Sequence, residues 1–123
     1  MNNLLDPDPE FQKLNISELR AVVSRSSESV LRRGRAMMEM GRRVSSDSAL
    51  LQEVSGMIRA PENRQLMTVG TTSVSQLGTA GLIAGGSEKA IDLAAELVQE
   101  WHRDEQSDFA WLMKSSGIDW PRG

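Results

Sequence analysis

His102 is the one histidine of the 123-residue sequence, and cysteine is absent. Acid/base or nucleophilic catalysis needs a group that titrates near neutral pH, or a nucleophile activated by one. That leaves His102 with Asp104, Glu105 and Asp108 close behind it. These acids crowd the start of a helix, where they suit the positive end of its dipole. His102 borders an apolar face, so a packing or surface role is expected and the chain reads as no enzyme.

Metal ligation would need converging oxygen or nitrogen ligands. The carboxylates from Glu88 onward are instead spread around a solvent face, without the spacing of a calcium loop. Gly81-x-x-x-Gly85-Gly86-Ser87 opens a helix, and bare amides at such an end attract anions. The run lacks the lysine-then-hydroxyl ending of a phosphate loop, and Glu88 comes first. No metal and no cofactor are expected.

Arginine is the residue type whose spacing carries most. Residues 20 to 43 hold seven arginines (20, 25, 32, 33, 35, 42, 43) against Glu28 and Glu39. At about 100° per residue, six of the seven share one side of a helix, and Arg33 falls within the opposite apolar arc. Arg20, Arg25, Arg32, Arg35, Arg42 and Arg43 would form a basic strip fit for an acidic protein surface or for phosphates. Arg33, within the apolar stripe, calls for a carboxylate or carbonyl to meet it, or for a route to water. From Glu88 on, eight acids face four bases, so the basic front and acidic rear could attract each other within one fold.

Tryptophans form the other candidate set. Trp101, Trp111 and Trp120 lie in the last 23 residues with Phe109, and Phe11 is the only aromatic elsewhere. Trp101 matches a core face, whereas Trp111 falls off the Phe109-Leu112-Met113 face and Trp120, beside Pro121 at the tail, is poorly placed for a core; these two read as contact anchors. Seven methionines, Met38 among them, offer adaptable apolar surface.

The elements that must position these groups are helices. Asp6-Pro7-Asp8-Pro9 disfavours helix, so residues 1–14 read as an extended or flexible lead-in to a single helical domain over 15–123. Asn15 and Glu18 form a capping-box pair flanked by Leu14 and Leu19. From Ile16 to about Val44, Leu19, Val23, Ser26, Val30, Gly34, Met37, Gly41 and Val44 recur every three or four positions, as on one long helix. Gly34 and Gly41 sit on that stripe, where each costs roughly 1 kcal/mol of propensity. A close approach of another backbone would offset the cost.

Ser45-Ser46-Asp47-Ser48 caps a second helix through Leu50, Leu51, Val54, Met57 and Ile58, closed by Pro61. Between Arg64 and Glu88 nothing is charged. Leu66, Gly70, Ser73, Leu77, Gly81 and Ala84 fit a buried small-residue helix, whereas Met67, Val69 and Thr71 alternate as a strand would. The stretch is long enough for a bilayer, but its hydroxyl residues and glutamines argue against a span. Ser87 caps a helix whose Ala90, Ile91, Ala94, Leu97, Val98 and Trp101 share a face. A last helix over 107–116 ends at Gly117, with Ile118 folding back.

The expected fold is all-α: a small bundle of four to five helices with a long first helix. Its 39% apolar and 25% charged residues suit a folded chain, and freedom from cysteine suits the cytoplasm. The expected function is a non-catalytic helical protein-protein interaction module: an adaptor, regulatory inhibitor or secretion-type accessory protein that self-associates. The alternative is a nucleic-acid-binding regulator using the arginine face; membrane association is not expected. The partner-binding residues expected are Arg32, Arg33, Arg35, Met38, Arg42, Arg43, Trp111 and Trp120, with Gly34 and Gly41 for helix packing.

Overall fold

The computed structural model describes residues 4–45 and 47–120. Eight helices and one small hairpin form among them: α1 Pro9–Gln12, α2 Ile16–Ser24, α3 Val30–Arg42, α4 Ser48–Arg59, α5 Pro61–Gln65, β1 Met67–Val69, β2 Thr72–Ser73, α6 Val74–Gly85, α7 Glu88–Gln99 and α8 Arg103–Ser115. The chain is thus mostly helical, with more and shorter helices than the four to five expected.

The long first helix is two. Asn15 and Glu18 do close a capping box at the start of α2, but the helix stops at Arg25, whose backbone is extended (φ −86°, ψ 113°). Ser29 then caps α3, its Oγ accepting from the Arg32 N–H at 3.2 Å. Residues 24, 26, 27 and 29 are all serine. Serine side chains compete with the helix for backbone groups and favour caps, so four of them within six positions divide a helix that each alone would tolerate.

α3 is the centre of the molecule: none of its residues is exposed, and Gly34 and Ala36 to Gly41 are buried. It runs parallel to α6, with Gly34 against Leu77, Met38 against Gly81 and Arg42 against Gly85. Glycines on both helices make that approach. A Cβ on Gly41 would lie 2.7 Å from Gly78 O, one on Gly81 would run into the Met38 carbonyl, and one on Gly34 would meet Leu77 and Thr68 at 2.7 Å. At Gly41, Gly81 and Gly85 the propensity given up is offset by backbone-to-backbone packing, and at Gly34 by the Leu77 and Thr68 side chains that take the space. The Gly81/Gly85 spacing serves this pair. No helix among the described residues is long and apolar enough to cross a membrane.

Residues 66–87 hold both readings in succession. Met67–Val69 pairs antiparallel with Thr72–Ser73 around Gly70, whose φ of +56° suits glycine. Ser73 then caps α6 reciprocally with Gln76, at 3.1 and 2.9 Å. The uncharged run lies inside because α6 is buried from Val74 through Ile83. Ser75 Oγ donates to Ile58 O at 2.6 Å and Thr79 Oγ1 to Ser75 O at 2.9 Å, satisfying its hydroxyls. α7 and α8 close the bundle, and the chain then turns at Gly117 (φ +75°) so that Ile118 N–H reaches Met113 O at 2.9 Å. α8 starts at Arg103, four residues before the expected Ser107.

Candidate functional site

The arginine face is covered by the chain's own beginning. Pro7 and Pro9 do not leave residues 4–14 loose: Asp8 caps the short α1, its Oδ1 accepting from Glu10 N–H at 3.0 Å, and Pro9 takes the first helical position, where its missing N–H costs nothing. Leu5 and Phe11 are buried in the core. This segment lies along α3. Arg32 pairs with Glu10 and Glu28 at 2.6 Å each and stands 5.1 Å above the Phe11 ring. Arg35 reaches Asp8 at 3.3 Å.

Arg43 holds Glu39 at 2.8 Å and donates to the carbonyls of Phe11 (2.9 Å), Gln12 (3.0 Å) and Leu14, at and just beyond the C-terminal end of α1. Arg42 donates to Leu5 O and lies 3.6 Å from Glu39. Burial lowers the pKa of Arg42, partly opposed by Glu39, whereas the hydrogen bonds that Arg32 donates to Glu10 and Glu28 raise that of Arg32.

Two expectations are corrected here. The front arginines do not meet the acidic rear: Glu100 and Glu105 pair instead with Arg59 (2.6 Å) and Arg64 (2.9 Å), and Arg20 binds Glu53. Met38 is no surface residue, being 1% exposed. α3 is enclosed on every side, so a position off its main apolar stripe is still interior. Arg33 donates to Val23 O at 2.8 Å, near the end of α2, which is the carbonyl that its place in the apolar arc calls for.

Apolar surface lies on the far side. Trp111 is 70% exposed, Val69 52% and Met67 51%, the large hydrophobic side chains left open among the described residues. Strand alternation sets the last two: Thr68 turns in against Gly34, its Oγ1 donating to Thr72 O at 2.7 Å, while Met67 and Val69 turn out. Val69, Thr72, Asp108, Trp111 and Leu112 line one hollow, so the hairpin and α8 present a joint face. The Met67/Val69 alternation was the signal in the sequence for this part of the face.

Trp120 lies elsewhere, half-buried and edge-on to Phe109 with ring centroids 6.2 Å apart, on the α7 side of α8. Trp101 is core, edge-on to Phe109 at 5.3 Å.

No group of three or more metal-ligating side chains converges among the described residues. His102 is exposed, and its backbone N–H donates to Glu105 at 3.3 Å. The glycine run before α7 serves packing and capping: Gly81 and Gly85 face α3, Gly86 is the left-handed cap of α6, and Ser87 Oγ accepts from the Ala90 N–H at 3.2 Å.

Compared with known proteins, the chain matches no family model, no curated protein and no solved structure.

Proposed function

We propose that the chain is a non-catalytic helical protein-protein interaction module of the adaptor, regulatory-inhibitor or secretion-accessory kind, and that it self-associates through the face made by Trp111, Val69 and Met67. The exposure of Trp111, 70% on a helix that buries Phe109, Leu112 and Met113, is the observation that carries this reading. A tryptophan held out of the core in this way forgoes a large hydrophobic gain, and tryptophan is enriched among the anchors that dominate interfaces. Asp108 is the one charged side chain lining the hollow shared by Val69 and Trp111, and beside Met67 Arg64 is already paired with Glu105, so two copies can bring the face together without opposing many charges. We assign the chain to the cytoplasm because its cysteine-free composition suits a reducing compartment.

Size-exclusion chromatography with light scattering tests this at low and high salt. The wild type should run as an oligomer at both, because apolar contacts are little screened, and Trp111→Ala should run as a monomer. A monomeric wild type at high protein concentration sinks the proposal.

The alternative, a nucleic-acid-binding regulator, has less support. Arg32, Arg35, Arg42 and Arg43 would have to give up Glu10, Asp8, Glu39 and four backbone carbonyls to reach phosphates. Adding DNA to the same columns at low salt checks it, since phosphate binding weakens steeply as salt rises.

A further inference from the structure

Between α7 and α8 runs a trough of about 560 Å³ lined by Glu88, Ile91, Asp92, Ala95, Val98 and Gln99 on one wall, with Gln106, Ala110 and Trp120 on the other. The α7 positions fall at steps of three and four, one continuous stripe roughly 16 Å long at 1.5 Å per residue. Alanine faces the gap from both helices, at 95 and 110, which keeps it wide. The rigid indole of Trp120, braced edge-on by Phe109, adds an aromatic surface. At the α7 N-terminal end the apolar lining gives way to Glu88 and Asp92. Both are exposed, and neither joins an ion pair with a described residue. Lys89, the nearest cation in sequence, is not part of the lining.

We propose that this groove receives one face of a helix from a partner protein, with a lysine or arginine of that helix set against Glu88 and Asp92. Two walls set by α7 and α8, with an alanine on each, fit a third helix laid into the groove, the mode in which apolar anchors recur every three or four residues. The occupant's charge follows from the two carboxylates, which a basic side chain would pair and an acidic one would oppose. The inference does not rest on self-association through Trp111: groove and Trp111 lie on either side of the buried α8 stripe of Phe109, Leu112 and Met113.

The test is isothermal titration of the full chain with a synthetic helical peptide of about 14 residues, four turns long. It carries leucines on one stripe and lysines in one end turn; a twin carries glutamates in place of the lysines. The lysine peptide should bind, and the twin should bind about tenfold more weakly, as two part-exposed ion pairs allow. The E88K/D92K chain should reverse that preference. Ala110→Arg, at an exposed position, should abolish binding of both peptides, while Trp111→Ala leaves it unchanged. Circular dichroism establishes that each variant is folded. Absence of binding by both peptides overturns the proposal, as does equal binding of the twins or indifference to Ala110→Arg. If Ala110→Arg instead dissolves an oligomer of the chain, the groove belongs to a second copy and the partner helix is ruled out.

Discussion

The arginine side of α3 and the tryptophan side of α8 both carry residues that look made for a partner, yet they end in opposite states. Around α3 five guanidiniums (Arg32, Arg33, Arg35, Arg42, Arg43) find carboxylates and carbonyls within the same chain, most of them on residues 5–14. Around α8 and the hairpin, Trp111, Val69 and Met67 find nothing among the described residues that covers them. Charge on a helix face therefore says little about solvent, since a segment of the same chain can supply the complement. An uncovered aromatic says more, because burying it is favourable wherever a surface is offered.

The comparison breaks if residues 5–14 are merely draped over α3. Phe11 decides this, because it is 1% exposed in the core and also lies beneath Arg32. Phe11→Ala should lower the unfolding free energy by about 4 kcal/mol through the cavity it leaves, read from urea denaturation. A change below about 1 kcal/mol would mean that the segment is dispensable and that the arginines are available.

Glu39 sharpens the same contrast. It is 7% exposed between Arg42 and Arg43, on the buried ends of the network. Glu39→Gln leaves two part-buried guanidiniums without their counter-charge, which should cost about 3 kcal/mol. Trp111→Ala on the other side should change the stability of the monomer by no more than about 0.5 kcal/mol. Parallel denaturation of the two variants, at a concentration where the chain is monomeric, measures the difference; equal losses would erase the distinction between a satisfied face and an open one.

Much of this was legible in the sequence, and the failures have physical causes. Local signals held: the Asn15/Glu18 box, the Ser87 cap and the left-handed Gly117 all stand where the residues put them. Gly34 and Gly41 marked a close approach: at Gly41 the backbone of Gly78 and Gly81 supplies it, whereas at Gly34 the side chains of Leu77 and Thr68 fill the space. What periodicity could not show is how many sides of a helix are covered. α3 has a polar face by composition and no exposed face in space, which hid both the burial of Met38 and the occupation of the arginines. Pro7 and Pro9 concealed the covering segment, since Asp-Pro reads as a breaker although proline is equally at home at the first position of a helix. Trp111 was legible because it falls off the face of its own helix, a purely local fact.

The smallest effect separates the two sides by pH. Glu53 and Glu100 titrate below their ordinary value of 4.5, held down first by their hydrogen bonds from Arg20 and Arg59, while burial opposes the shift. A carboxylate whose folded pKa is depressed contributes stability that is complete above its unfolded pKa and disappears as pH falls through the folded one. Both pairs are largely open to solvent, so each contributes little. Stability owed to them should hold from neutral pH down to about 4.5 and decline below it. Arg20→Gln and Arg59→Gln together should flatten that part of the decline in thermal melts taken across the acid range. The Trp111 face is chiefly apolar, with Asp108 the one charged side chain lining its hollow, so self-association should persist through the same window for as long as the chain stays folded. Loss of the oligomer in step with these ion pairs would show that the apolar face depends on charge elsewhere in the fold after all.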